Sequence, residues 1–176
     1  MRAAMISIED RRFRGHFGVD PIGIGRAIGS AIVNGHRIRA TSTITQQLAR
    51  NIFLTNNRSY GRKIKEGILA LAIERKFTKD QILELYLNEI FLGLNSYGIA
   101  AASLNYFGKS LDELSIDEMA YLAALPKGPN NYHPFRHAQR ATERRNWVLE
   151  QMVENGNITT EEMKAAQAKP LAVSPR

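Results

Sequence analysis

In Thr43 with Gln46, Thr78 with Gln81, Ser115 with Glu118 and Thr159 with Glu162, a Ser or Thr stands three residues ahead of a Glu or Gln. At that spacing the hydroxyl takes a backbone N–H in the first helical turn, and the amide or carboxylate reaches back to the capping residue's own N–H. Each pair therefore predicts a helix start. Other punctuation agrees. Asp20-Pro21 sets a capping residue before a proline at the first helical position, and Gly35 offers a stop. Ser59 can cap a helix running through Phe77, and the Thr78 helix reaches about Phe91. The helix begun at Ser115 ends at Pro126, residues 138–154 form a long amphipathic stretch closed near Gly156, and Ala3 to Glu9 reads as helix at the chain's beginning. Ile44, Leu48 and Ile52 make an apolar row at spacing four. No segment sustains period-two alternation, so a sheet of any size is not expected, and the fold class is all-α.

Charge narrows the partners. Residues 1–80 hold 15 Lys/Arg against 6 Asp/Glu, while residues 81–176 hold 9 against 11. A cationic excess confined to one half points to an anionic partner there: nucleic acid, membrane headgroups or a phosphorylated substrate. A merely soluble basic surface is the plainer reading. Cysteine is absent, so there is neither a disulfide framework nor a thiolate metal site. No run of 18 apolar residues exists to span a bilayer, and the opening MRAAMISIED does not have the pattern of a signal peptide. KPLAVSPR at 169–176 reads as a linker. The expected organisation is one domain over 1–168, cut from something longer and truncated at its N-terminus.

The segment PIGIGRAIGSAIVNG at 21–35 interleaves Ile22, Ile24, Ile28, Ile32 and Val33 with Gly23, Gly25 and Gly29. A glycine within a helix costs about 1 kcal/mol relative to alanine. Two readings stand: a core helix with close-packed glycines, which the residues alone favour, and a loosely held lip that enters a membrane interface.

Acids set among cations suit chemistry that removes a proton while an anionic leaving group is held. Three stretches have that character. EDRRFRGHFGVD at 9–20 places Glu9 and Asp10 beside Arg11, Arg12 and His16. TSTITQQLARN at 41–51 sets Gln46, Gln47, Arg50 and Asn51 along one helix. RKIKEG at 62–67 sets Glu66 among Arg62, Lys63 and Lys65. Glu66 lies one turn after Arg62, with Lys65 beside it and away from the stripe Ile64, Ile68 and Leu71. Leu69 and Ile73 continue on the Glu66 side, which reads as a helix buried on two faces. By itself, a glutamate in such a cluster reads most simply as a surface ion pair. Glu9 follows the apolar Met5-Ile6-Ser7-Ile8, where a carboxylate can act as a base. His16 by default is structural, and His36, His133 and His137 form no metal pattern. Gln46, Arg50 and Arg58 are donors suited to sugar hydroxyls and phosphate oxygens, and helix N-terminal amides near Ser42 and Thr43 would add to anion binding. Aromatic residues of the basic half form no interleaved stacking platform for single-stranded nucleic acid.

EDRRFRGHFGVD, STITQQLARN, RKIKEG, ILELYLNEIFLG with YGIAAASLNYFGK, and AYLAALPKGPNNYHP follow one another in order along the chain, as five motifs of one family match that covers nearly all of it. With these motifs it resembles the glycosyltransferase domain of class A penicillin-binding proteins, the peptidoglycan polymerases of glycosyltransferase family 51. The resemblance implies a lysozyme-like larger lobe with a small membrane-facing jaw subdomain that includes 21–35, which favours the lip reading. It implies a reaction in which the 4-hydroxyl of lipid II displaces polyprenyl diphosphate from the growing lipid-linked glycan, with inversion. It implies Glu9 as general base and Glu66 as the second catalytic carboxylate, organising the donor diphosphate. Arg50 and Arg58 would hold the diphosphate, with Arg62 and Lys65 nearby, and Ser42, Gln46 and Gln47 would contact the donor. Asp10, Phe13 and His16 would shape the first motif, and Tyr86 and Asn88 would support the cleft wall.

The resemblance requires no cofactor and no metal ligand set, although a divalent cation such as Mg2+ is admissible near the acids. It places the protein at the outer face of the bacterial cytoplasmic membrane, anchored by a segment outside this sequence and followed in a bifunctional parent by a transpeptidase domain. One departure stands out: Ala40-Thr41 occupy positions where the family commonly has glycine. Two other classes compete, a lysozyme-like peptidoglycan hydrolase and a basic helical nucleic-acid-binding module. The first has no use for a diphosphate clamp, and the second leaves Glu9 and Glu66 unexplained.

Overall fold

In the computed structural model, residues 1–35, 42–54 and 59–174 are described. Among them the chain runs through helices α1 (Arg2–Glu9), α2 (Pro21–Asn34), α3 (Ile44–Phe53), α4 (Tyr60–Lys76), α5 (Lys79–Glu89), α6 (Ile99–Phe107), α7 (Ile116–Ala124), α8 (Ala138–Glu154) and α9 (Thr160–Ala168). The only strand-like pairing among the described residues is an isolated bridge, Phe91 with Tyr97. The all-α expectation holds. The chain divides into two compact units, Met1–Ile8 with Leu87–Arg176, and Glu9–Tyr86.

The larger unit is packed conventionally. Ala120–Leu125, Ala141, Val148 and Leu149 are fully buried, and Tyr121 sets its ring edge-to-face against both Tyr106 and Phe107. The buried hydroxyls have partners, as burial demands: Tyr106 donates to the Leu92 carbonyl at 2.7 Å and Tyr121 to the Tyr132 carbonyl at 2.9 Å. Burial raises the Tyr106 hydroxyl pKa to about 12. Arg145 of α8 is fully buried. Its guanidinium donates to the carbonyls of Gln167 and Lys169 at the end of α9, at 3.2 and 2.8 Å. Those carbonyls have no partner inside their own helix, and a cation there also complements the helix dipole.

α6 is the element the residues did not announce. It begins at Gly98 without a side-chain cap, so no hydroxyl marks its start. Gly98 is required there: its φ is +80°, and a Cβ would stand 2.5 Å from the Asn88 carbonyl oxygen. Its end was legible in Gly108, which is left-handed at φ +66°.

The unit 9–86 is built around α3 and α4. At the start of α3, Thr43 Oγ1 accepts from the Gln46 amide at 3.1 Å, and Gln46 Oε1 accepts from the Thr43 amide at 3.0 Å. Ile44 and Leu48 are buried, but the apolar row turns outward at Ile52, which is exposed in the last turn. α4 begins at Ser59, whose hydroxyl accepts from the Arg62 amide at 3.1 Å. It is not buried on two faces: Glu66, Ala70 and Ile73 point inward, while Ile64, Ile68 and Leu71 are exposed. Gly18 fastens the loop after α1 to both helices. Its carbonyl accepts the Thr43 hydroxyl at 2.6 Å, its φ is +86°, and a Cβ would lie 2.8 Å from the Ala70 backbone.

α2 corrects the core-helix reading of 21–35. It contains no buried residue, and nothing lies within 4 Å of a Cβ built at Gly25 or Gly29. Ile32 and Val33 are about four-fifths exposed. Gly25 and Gly29 are therefore not points of close packing.

Candidate active site

Glu9 closes α1, and Asp10 begins the loop that follows. Asp10 is buried and spends its carboxylate twice. Both oxygens lie 2.9 Å from His16 Nε2, and Oδ2 accepts the Ile44 amide at 3.0 Å. A carboxylate only accepts, so His16 Nε2 carries the proton. Phe13, fully buried, sets its ring edge-on to His16 and lies under the Lys79 ammonium at 4.5 Å. Asp10, Phe13 and His16 thus tie the first motif to the start of α3.

That arrangement also overturns an expectation. The amides of Thr43, Ile44 and Gln46 at the α3 N-terminus are already taken by Gln46, Asp10 and Thr43 side chains, so they are not open to an anion. Gln46 has likewise committed its oxygen to the cap, leaving Nε2 turned toward Gly67 of α4.

Gln47 faces the other way. Its Nε2 donates to Glu9 Oε2 at 2.9 Å and to the Ser42 carbonyl at 3.3 Å, and its Oε1 accepts from the Tyr86 hydroxyl at 3.2 Å. Ser42 continues the connection, because Lys63 Nζ donates to its hydroxyl and, at 2.8 Å, to Glu66 Oε2. Arg62 Nε stands 3.2 Å from Glu66 Oε1. The two glutamates, 57 positions apart in sequence, are therefore joined by one run of polar contacts: Glu9, Gln47, Ser42, Lys63, Glu66.

Two readings change in consequence. Glu66 is completely buried, so it is not a surface ion pair. A buried carboxylate tolerates ionisation only when paired, and here two cations meet its two oxygens. The nearer lysine is Lys63 and not Lys65. Residues i and i+3 share a helix face whereas adjacent residues diverge by about 100°, and Lys65 is exposed. The i,i+3 spacing of Lys63 and Glu66 was the available signal. Thr45, fully buried, was also missed. It donates to Glu74 Oε1 at 2.6 Å, which Lys79 also reaches at 2.7 Å.

Arg50 is half-buried at the end of α3, and its charge acts on Tyr86. Asn88 belongs to the other unit, exposed near the end of α5, where Gly98 abuts its carbonyl. Arg58 and Ala40-Thr41 lie outside the described residues. A cavity of about 330 Å³ is lined by Arg14, His16, Phe17, Glu74 and Lys79 among others, and contains neither Glu9 nor Glu66. No group of three or more His, Cys, Asp or Glu among the described residues could hold a metal ion.

A transglycosylase family model matches residues 1–153. Penicillin-binding protein 1A of Aquifex aeolicus is 55% identical over 173 residues, covering 97% of this chain and 23% of that protein. Penicillin-binding protein 1A of Escherichia coli is 49% identical over 171 residues, covering 97% of this chain and 20% of that protein. A crystal structure of penicillin-binding protein 1A from Haemophilus influenzae matches with a TM-score of 0.53 and 34% identity, over 90% of this chain and 18% of that one. The chain thus spans about a fifth of the length of these relatives.

Proposed function

This chain belongs to the transglycosylase family and is a peptidoglycan glycosyltransferase domain, and we propose that it extends glycan strands from lipid II by inverting transfer. Inversion at a sugar carbon needs a base on one face and a stabilised leaving group on the other. Glu9 is the base that takes the acceptor hydroxyl proton. Its carboxylate is steered by Gln47, which leaves it a fixed direction in which to accept. The leaving diphosphate needs positive charge more than it needs a proton. Lys63, Arg62 and Arg50 supply that charge, and Glu66 holds the first two in place. Glu66 acts by orienting cations and carries no proton in this scheme.

The observation that carries the reading is the polar run from Glu9 to Glu66 through Gln47, Ser42 and Lys63. It fixes a prospective base and a cation-flanked carboxylate in one framework, which a surface binding module would not require. The exposed apolar face of α2 supports membrane attachment, because apolar side chains at this density gain by leaving water. Among the described residues no helix is long and apolar enough to cross a membrane. We place the domain at the outer membrane face and expect a transpeptidase domain in the full-length protein, in keeping with relatives four to five times its length.

Gel analysis of glycan products from labelled lipid II, with the parent chain and with Glu9→Gln, tests the reading. Glycan ladders from the parent and none from the variant are expected. Ladders of normal yield from Glu9→Gln would overturn the assignment of the base, and fragment release from preformed glycan would favour a hydrolase instead.

A further inference from the structure

Tyr86 has no role in the mechanism above, yet it is fully buried and its hydroxyl ends on a side chain that touches Glu9. The donors and acceptors around Gln47 leave a single consistent arrangement. The Glu9 carboxylate and the Ser42 carbonyl can only accept, so the Gln47 amide must turn its NH2 toward both. Its oxygen then faces Tyr86, and the Tyr86 hydroxyl must be the donor. With the amide reversed, an oxygen would confront a carboxylate, a carbonyl oxygen would lose its partner, and the hydroxyl would face an NH2.

We propose that Tyr86 is a positioning residue for the base: by donating to Gln47 Oε1 it locks the amide so that Gln47 donates to Glu9 and holds that carboxylate ionised and oriented. The inference rests on Glu9 being the base. The charged groups whose fields reach Tyr86 are Glu9 and Asp10 from the first motif and Arg50 from α3, and Asp10 is itself paired with His16. Burial first, then Glu9 and Asp10, push the Tyr86 hydroxyl well above its usual range against the opposing pull of Arg50. The hydroxyl therefore stays a donor at any pH at which the domain works, so the lock does not titrate.

A hydrogen bond to the ionised form of a carboxylate favours that form. Removing the Tyr86 hydroxyl leaves Gln47 Oε1 buried without its donor, frees the amide to turn, and weakens the bond to Glu9. Tyr86→Phe removes one oxygen and little volume. In that variant the acid limb of the kcat–pH profile for lipid II polymerisation should move up by about one pH unit, the size expected for loss of one charge-assisted hydrogen bond. Polymerisation well above the limb should stay within about twofold of the parent and the donor KM should stay unchanged, since the cations of α4 are untouched. A merely structural tyrosine would lower the rate by the same factor at every pH. Gln47→Met should reproduce the shift, and the double variant should add nothing to Gln47→Met.

The 13C signal of the Glu9 side-chain carboxyl supplies a readout that does not depend on turnover. It should titrate at higher pH in Tyr86→Phe than in the parent. In the unaltered chain the Tyr86 hydroxyl proton should exchange slowly and show cross-relaxation to the Gln47 side chain. Superimposable Glu9 titrations, or no protected Tyr86 hydroxyl in the parent, would overturn the proposal even if lipid II is polymerised. A shifted Glu9 titration in a chain that makes no glycan would uphold the lock and remove the proposed function.

Discussion

In the unit formed by residues 1–8 and 87–174, the largest buried side chains are tyrosines, leucines, Met5 and one arginine, and that arginine donates to two helix-end carbonyls. In the unit 9–86, burial takes in Asp10, His16, Thr45, Gln46, Gln47 and Glu66, while Ile28, Ile32, Val33, Ile64 and Ile68 are left outside. The first unit buries mainly apolar groups, with Arg145 and Asp117 as its buried charges. The second buries more polar groups beside its apolar ones, and these have partners: His16 with Asp10, Gln47 with Tyr86, Glu66 with Arg62 and Lys63. Unpaired buried charge costs several kcal/mol, so buried polar groups persist where partners hold them or where selection maintains them for chemistry. One half of the chain is organised for stability, and the other accepts a stability cost to hold charges in fixed directions.

Substitutions can break or sharpen that contrast. The largest effect is expected from Glu9→Gln, which should lower polymerisation by about a thousandfold, within the range attributed to a positioned base, with Tm nearly unchanged. Loss of folding together with activity would place Glu9 among the stabilising groups instead. Arg145→Met should do the reverse. It strands the Gln167 and Lys169 carbonyls and should cost about 2 kcal/mol in urea unfolding, while activity per folded molecule stays at the parent level. Lys63→Ala should raise the donor KM by about tenfold, with Lys65→Ala close to the parent. This is the loss expected when one charge-assisted contact is removed, and equal effects of the two would reject the i,i+3 assignment. Thr159→Ala should cost about 1 kcal/mol through loss of the α9 cap without touching the chemistry. Ile32→Ser on α2 should leave Tm unchanged and weaken co-sedimentation with anionic lipid vesicles by a few-fold. A fall in Tm would show that α2 packs after all.

Local signals were read directly from the residues wherever the physics is local. The Thr43–Gln46 and Thr159–Glu162 boxes, the Ser59 cap and the left-handed Gly35 and Gly156 all depend on contacts within four residues. α6 escaped because its start relies on Gly98 meeting the Asn88 carbonyl, a contact made by the turn of the chain between them. The core reading of α2 failed for a related reason: isoleucine is apolar wherever it sits, and no periodicity says whether anything covers it. Sequence motifs identified Glu9, Gln47 and Glu66 as residues of interest, but not that Glu66 is buried or that Gln47 bridges to Glu9.

The amino-acid order alone determined the family motifs and every helix but α6, because hydrogen-bond capping and 3.6-residue periodicity act over a few residues. Tertiary structure alone decided that Glu66 is buried, that Asp10 takes the Ile44 amide, and that the Tyr86 hydroxyl meets Gln47. The contacts of Asp10 with the Ile44 amide and of Tyr86 with Gln47 join groups 34 and 39 positions apart at 3.0 and 3.2 Å. At that range, the choice between a donor and an acceptor is set by everything else already buried there.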